Sequence, residues 1–192
     1  MQETERQLID AIQGGDREAL RRLYDRFSRY AMAIGRRYVV ERENALDVVQ
    51  DSFVNILSNI GSFEYRGEGS LKAWVSRIVT NQAIDWVKSH EEIIFTDEIP
   101  DETDENSLDV EEAPPEIMSR LIRQLPVGCR TVLNLHVFGE LTHKDIAHEL
   151  GISEKEAPQR AAHAAERLAP AVLSPDEQLA SLLLESILSV ES

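Results

Sequence analysis

Six side chains between residues 70 and 88 recur at three- and four-residue steps: Ser70, Trp74, Arg77, Asn81, Asp85 and Lys88. On a helix, at about 100° per residue, they share one face. The set carries an indole, a guanidinium, an amide and an ammonium, which can stack on bases, pair with phosphates and hydrogen-bond base edges. The plainer reading of the stripe is a solvated helix face with a half-buried Trp74. Directly before it lies GSFEYRGEG, Gly61 to Gly69, a loop with Phe63, Tyr65 and Arg66. Aromatic faces beside a cation are what a binder of single-stranded bases uses. Phe63 and Tyr65 would equally suit a small satellite core under the loop. Nearer the C-terminus, Lys155, Arg160, His163 and Arg167 make a shorter basic edge.

Covalent chemistry finds no comparable set. Cys129 has no acid–base arrangement beside it and suits packing within a helix. His143 and His148 are five apart, on different sides of a helix, and no cysteine pair accompanies them. There is no glycine-rich phosphate loop and no nucleophile elbow. The expectation is a non-enzyme without catalytic residues, metal or cofactor.

The elements that must position these groups are helices. The stretch Ser70 to Ser89 has Leu71, Val75, Ile78, Val79 and Trp86 as its expected core face. Ahead of it, residues 3–13 form a short amphipathic helix with Leu8, Ala11 and Ile12 inward, broken by Gly14-Gly15. Asp16 suits the N-cap of a second helix carrying Leu20, Leu23, Phe27, Ala31 and Ile34. Arg21, Arg22, Arg29, Arg36 and Arg37 lie mostly off that stripe, as a phosphate-facing surface or a solvated exterior. Asn44 is the expected cap of a third helix to about Ser58, with Ala45, Val48, Val49, Ser52, Phe53, Ile56 and Leu57 inward. Asp47, Gln50 and Asp51 lie outside that face.

Residues 91–116 break the pattern. Uniform acidity, three prolines and little periodicity mark a flexible, self-repelling linker and a domain boundary. Beyond it, Ile117 to Leu125 is an expected helix with Ile117, Met118, Leu121, Ile122 and Leu125 inward, and Pro126 suits the first turn of another running to about Phe138. Thr142 to Asp145 resembles a capping box ahead of Ile146, Ala147 and Leu150, Gly151 is placed for a C-cap, and Ser153 to Glu156 is a second box. Helix, glycine-containing turn, helix is the helix-turn-helix arrangement.

The fold class is therefore all-α, with lobes at 1–90 and 117–173 joined by the acidic linker and followed by a tail at 174–192. The net charge of −15 argues at first against nucleic acid, but its distribution points the other way. Residues 1–90 hold 13 basic and 13 acidic groups, and 117–173 hold 7 basic and 6 acidic. Residues 91–116 hold 12 acidic groups and 174–192 hold 4, with no basic group in either. Local basic faces thus remain available on two near-neutral lobes. Such lobes would bind DNA weakly alone and would need help from a partner. No run of 18 or more apolar residues exists, the N-terminus lacks an apolar signal core, and Cys129 has no partner for an internal disulfide. A cytoplasmic protein without membrane contact is expected.

Taken in order, these residues resemble the extracytoplasmic-function class of bacterial sigma factors, the small subunits that direct RNA polymerase to promoters. The first lobe is similar to their region two in DVVQDSF (Asp47 to Phe53), FEYRGE (Phe63 to Glu68) and WVSRIVTNQAIDW (Trp74 to Trp86). The second is similar to region four in Leu125-Pro126 with Arg130 and Val132, in LTHKDIA (Leu141 to Ala147) and in LGIS (Leu150 to Ser153).

The resemblance implies partners and roles. Asp47, Gln50, Asp51 and Phe53 would serve docking on core RNA polymerase, Phe53 mainly by packing. The Phe63 to Ser70 loop, with Phe63 and Arg66, would hold a base flipped from the non-template strand of the −10 element. Trp74, Arg77, Asn81 and Lys88 would face the same element. The linker would run through the polymerase toward the RNA exit path. Lys155, Arg160, His163 and Arg167 would meet the −35 element, and an anti-sigma protein is a further partner that the resemblance allows.

The chain departs from the family in SEKEAPQRAAHAAERLAPAV, Ser153 to Val172. Its apolar positions shrink to Ala157 and Ala161, Glu154, Glu156 and Glu166 add like charge near phosphate, and Pro158 is expected about five residues into the helix. A proline in a helix interior costs ~3 kcal/mol. A competing reading is accordingly a protein–protein regulator that keeps polymerase docking and has lost −35 reading. The tail, Pro175 to Val190, is an expected amphipathic helix without basic residues, a poor partner for anionic membrane. It would pack on the second lobe, completing its core or covering its DNA face.

Overall fold

Apolar residues at four-residue steps give this chain its order, and in a computed structural model they close two separate helical units. The structure describes residues 3–90 and 120–172, with side chains as far as 168. The contacts divide the chain into Met1–Ser89 and His90–Ser192. The acidic stretch 91–116, the tail 174–192, Ile117 and Met118 lie outside the described residues.

The first unit holds α1 (Glu5–Gln13), α2 (Arg17–Tyr38), α3 (Arg42–Asn59), a single 3-10 turn at Ile60–Ser62, and α4 (Ser70–His90). A reciprocal capping box starts α1: Gln7 N–H donates to Thr4 Oγ1, and Thr4 N–H donates to Gln7 Oε1. Asp16 caps α2, accepting from Glu18 N–H at 2.9 Å. The hydrogen bond from Arg22 draws the Asp16 carboxyl below its ordinary value. Leu8, Ile9 and Ile12 of α1 meet Leu23, Phe27, Ala31 and Ile34 of α2 and Val48, Val49, Phe53 and Ile56 of α3 in a buried core. Each of the Val, Leu, Ile and Phe side chains, fully buried, contributes ~1.5–3 kcal/mol.

Helix α4 lies along α2. Arg26 approaches Glu68 at 4.0 Å, Lys72 Nζ sits 4.9 Å from the Tyr30 ring centre, and the Tyr38 and Thr80 hydroxyls hydrogen-bond. Each pair is 42 residues apart (68 − 26, 72 − 30, 80 − 38), so the two helices run side by side in the same direction. Burial pushes the Tyr38 phenol up to about 12.

Five sequence expectations shift here. The buried ridge of α4 is Leu71, Val75, Val79, Ala83 and Val87, with Ile84 beside it, while Ile78 and Trp86 are half-buried. A strict four-residue ridge turned into the core leaves them on its shoulder. In α1, Ile9 takes the core place expected of Ala11, and in α2 Ala19 takes that of Leu20. Helix α3 starts at Arg42, so Asn44 lies inside it, and Glu41 at the N-cap position makes no side-chain cap bond. Leu57, expected inside, is 40% exposed.

In the second unit a helical segment at 120–124 precedes α5 (Val127–Val137), α6 (His143–Leu150) and α7 (Glu156–Val172). Buried Arg130 donates from Nη1 to the carbonyls of Arg123 and Leu125, both at 3.1 Å, and so ties the first segment to α5. Asp145 N–H donates to Thr142 Oγ1 at the start of α6, and Gly151 ends that helix in the left-handed conformation at φ 68°. Ser153 and Glu156 form the expected box, each backbone N–H donating to the other's side chain. Helix α7 rests on α5 and α6 through Ala157, Ala161, Ala164, Ala165 and Leu168, the thin alanine contact anticipated from sequence.

Pro158 requires a correction. Because α7 begins at Glu156, Pro158 is its third residue, in the first turn. The N–H it lacks would have had no helical acceptor there, so the interior penalty does not apply.

Candidate nucleic-acid interface

The aromatic loop and α4 enclose a concave site. Phe63 and Trp74 are each half-buried and meet at 5.1 Å between ring centroids with a 49° tilt. They border a cavity of about 770 Å³, whose wall continues through Asn55, Asn59, Arg66 and Ile78. One face is thus aromatic and apolar, and its rim carries two amides and a guanidinium, the last paired with the Glu64 carboxylate at 3.5 Å. That is the composition of a site that stacks a planar base and hydrogen-bonds its edge. Tyr65, also half-buried, turns instead toward α1, with the Arg6 guanidinium 5.8 Å from its ring centre.

Local chemistry fixes the loop. Gly67 and Gly69 take φ values of 124° and 89°, a region that other residues rarely enter. Ser70 Oγ donates to the Gly67 carbonyl at 2.6 Å and accepts from Arg66 N–H at 3.3 Å. Across the cavity, Asn59 Nδ2 donates to the carbonyl and the Oδ1 of Asn55, at 2.8 and 2.7 Å.

Helix α4 carries the site onward. Trp74 belongs both to the cavity and to the outward stripe, where Arg77, Asn81 and Lys88 are exposed. The expected −10 set therefore divides into Phe63, Arg66 and Trp74 around the cavity and Arg77, Asn81 and Lys88 along the helix. Asn55 and Asn59 were missed. Their i, i+4 spacing at the end of α3, directly before the loop, was the available signal.

Sequence reasoning also missed Glu5. It is 3% exposed, and its carboxylate accepts from three backbone N–H groups at the start of α4: Gly69 at 2.9 Å, Leu71 at 3.1 Å and Lys72 at 3.3 Å. Gln13, eight residues on, donates from Nε2 to the carbonyls of Phe63 at 3.0 Å and Gly61 at 3.4 Å.

A second surface lies on α3. Asp47, Gln50 and Asp51 are exposed, and with Gln50 an apolar row of Leu46, Val54 and Leu57 shares one face. Val54 is 65% exposed. Phe53 is buried and packs against Tyr24 at 4.7 Å, so it supports this face from beneath and does not present itself to a partner.

The expected −35 set is broken up. Arg160 is buried, and its guanidinium pairs inward with Glu156 at 3.4 Å. The shallow alanine face of α7 leaves room for its long stem, so it cannot belong to an outward basic edge. His163 and Arg167 are half-buried, while Lys155 is exposed. The outward residues over the first turns of α7 are Pro158, Gln159 and Ala162. Among the described residues no three His, Cys, Asp or Glu side chains are grouped to hold a metal, and no helix is long and apolar enough to cross a membrane.

Comparison with known proteins matches both units. The family model for Sigma-70 region 2 matches residues 23–92, and that for Sigma-70, region 4 matches residues 116–168. The RNA polymerase sigma-H factor of Pseudomonas aeruginosa is 29% identical, over 76% of this chain and 82% of its own length. The ECF RNA polymerase sigma-E factor of Haemophilus influenzae is 29% identical, over 75% and 82% respectively. The ECF RNA polymerase sigma factor SigM of Mycobacterium tuberculosis is 29% identical, over 85% and 82%.

Proposed function

The chain belongs to the extracytoplasmic-function class of sigma-70 factors, and from that membership we propose how its surfaces divide the work of initiation. A sigma factor binds core RNA polymerase and promoter DNA and directs transcription initiation, and this chain is such a factor. In the proposed division the exposed face of α3 docks on core polymerase. Leu46, Val54 and Leu57 would supply the apolar contact, and Asp47, Gln50 and Asp51 the polar rim. The cavity beside Trp74 takes a base flipped from the −10 element, and Arg77, Asn81 and Lys88 follow the melted strand along α4.

One observation carries this reading: half-buried Trp74 is at once part of the cavity wall and part of the stripe that continues through exposed Arg77, Asn81 and Lys88. A captured base and the strand leading from it would therefore meet one continuous surface. Flipping costs a few kcal/mol of unstacking, and stacking on an aromatic side chain returns ~1–3 kcal/mol per base.

Reading of the −35 element would fall to Lys155 and Gln159 at the N-terminal end of α7, with Ala162 beside them, in place of Arg160. A glutamine can bind the N6/N7 edge of adenine through two hydrogen bonds, and a small methyl can contact thymine. The 91–116 segment would join the two lobes along the polymerase.

Run-off transcription with core polymerase tests the −10 assignment. Arg77→Ala/Asn81→Ala is expected to bind core like wild type and to lose promoter-specific transcripts. Transcripts at wild-type level from the double variant would remove −10 reading from α4.

A further inference from the structure

We infer that α1 is the positioning element of the base-capturing loop and that Glu5 is its principal positioning residue. The inference rests on the base-capture reading of the Trp74 cavity and adds to it the group that sets the cavity's shape. Helix α1 lies ahead of the 23–92 segment that matches the region-two model.

The start of α4 lacks a cap of its own. Gly69 precedes the helix and has no side chain, and Ser70 Oγ is committed to the Gly67 carbonyl and the Arg66 N–H. The first N–H groups of the helix would be left without acceptors inside the fold. Glu5 supplies both its oxygens from another helix: Oε2 to Gly69 and Leu71, Oε1 to Lys72. An anion here also lies at the positive end of the helix dipole. It is a cap delivered from 64 to 67 residues away.

The same helix holds the other end of the loop. Gln13 donates to the Gly61 and Phe63 carbonyls, and Arg6 lies over Tyr65. Three residues of α1 thus fix the entry, middle and exit of a segment with two glycines at positive φ. Both rings of the cavity depend on these ends: Phe63 follows the Gln13 contact, and Trp74 stands in the first turns of the helix that Glu5 caps. None of Glu5, Arg6 or Gln13 lines the cavity itself. Glu5→Gln keeps the size of the side chain but turns an amide N–H₂ toward backbone donors, so one oxygen must serve where two did.

The test uses reconstituted holoenzyme with the full-length chain. Core binding is measured by gel shift, and promoter opening by permanganate reactivity of unpaired thymines. Glu5→Gln is expected to bind core within twofold of wild type and to form at least tenfold fewer open complexes. Trp74→Ala is expected to lose opening as well, and Glu5→Gln/Trp74→Ala to be no worse than Trp74→Ala alone, because both changes disable one cavity. Normal opening by Glu5→Gln beside a defective Trp74→Ala would overturn the proposal. So would losses that multiply in the double variant, or core binding that falls in step with opening, since those mark a purely structural role. Normal opening by Trp74→Ala would instead sink the base-capture reading beneath it. If Glu5→Gln fails to fold, exposed Gln13→Ala decides: a loss of opening of threefold or more supports the proposal, and wild-type opening overturns it.

Discussion

At Tyr38 a single hydroxyl shows how the two long helices of the first unit are fitted. The phenol is 2% exposed, bonded to Thr80, and pushed by burial from 10.0 to about 12. Its folded value is raised, so the contribution to stability is fully present below pH 10 and is lost as pH rises from 10 through about 12. The loss can reach ~3 kcal/mol, at 1.36 kcal/mol per pKa unit. Alkaline melting of Tyr38→Phe against wild type checks this: the variant's stability should fall less over that window, and parallel curves would refute it. Tyr38 as a core residue continues the stripe of Leu23, Phe27, Ala31 and Ile34 and was within reach of periodicity. Glu5 was not. Nothing local distinguishes it from the exposed acids around it, because the donors it serves are more than sixty residues away.

Among the elements, the ends of α6 and the start of α7 were the most legible and the outward face of α7 the most misleading. The caps at Thr142, Gly151 and Ser153 are short-range signals, and the structure places them where their chemistry requires. Gly151→Ala is expected to destabilise the second unit by ~1–2 kcal/mol, the cost of an L side chain in the left-handed region; a melting curve unchanged from wild type would contradict it. What periodicity could not give was the depth of the groove beneath α7. Three- and four-residue spacing groups Arg160 with His163 and Arg167, yet alanines at 157, 161, 164 and 165 leave space that the Arg160 stem enters. The outward position passes to Gln159. Gln159→Arg should therefore shift −35 preference from adenine toward guanine at one position, read by competition among permuted promoter sites; an unchanged preference would remove Gln159 from base reading. The α5–α6 junction adds a pH dependence. The His136 and His143 rings stack at 4.6 Å, and burial, with the neighbouring His136 charge, lowers the His143 value below 6.5. A lowered histidine contributes stability above its unfolded value and loses it as pH falls below 6.5, so His143→Gln should flatten the acid limb of the second unit's melting profile.

For the whole molecule, charge sets what the chain can do alone. With −15 overall and lobes close to neutral, it lacks the cationic excess from which phosphate affinity arises. The chain without polymerase is expected to leave a promoter duplex unshifted in a gel at 0.15 M salt while the holoenzyme retards it, and a specific shift by the chain alone would refute this. The carboxylate of Glu5 has a further consequence, in the order of synthesis. Residues of α1 leave the ribosome before the rest of this unit, and the donors that Glu5 serves, at Gly69, Leu71 and Lys72, follow more than sixty residues later. A nascent chain ending at Ser62 already contains α1, α2 and α3, yet it holds an acid that has nowhere to be buried. Closing that long loop is the entropically costly step, and non-local contacts of this kind slow folding. The first lobe therefore completes itself only when translation has passed into α4, and until then the apolar faces of its early helices stand open to the chaperones that receive nascent chains.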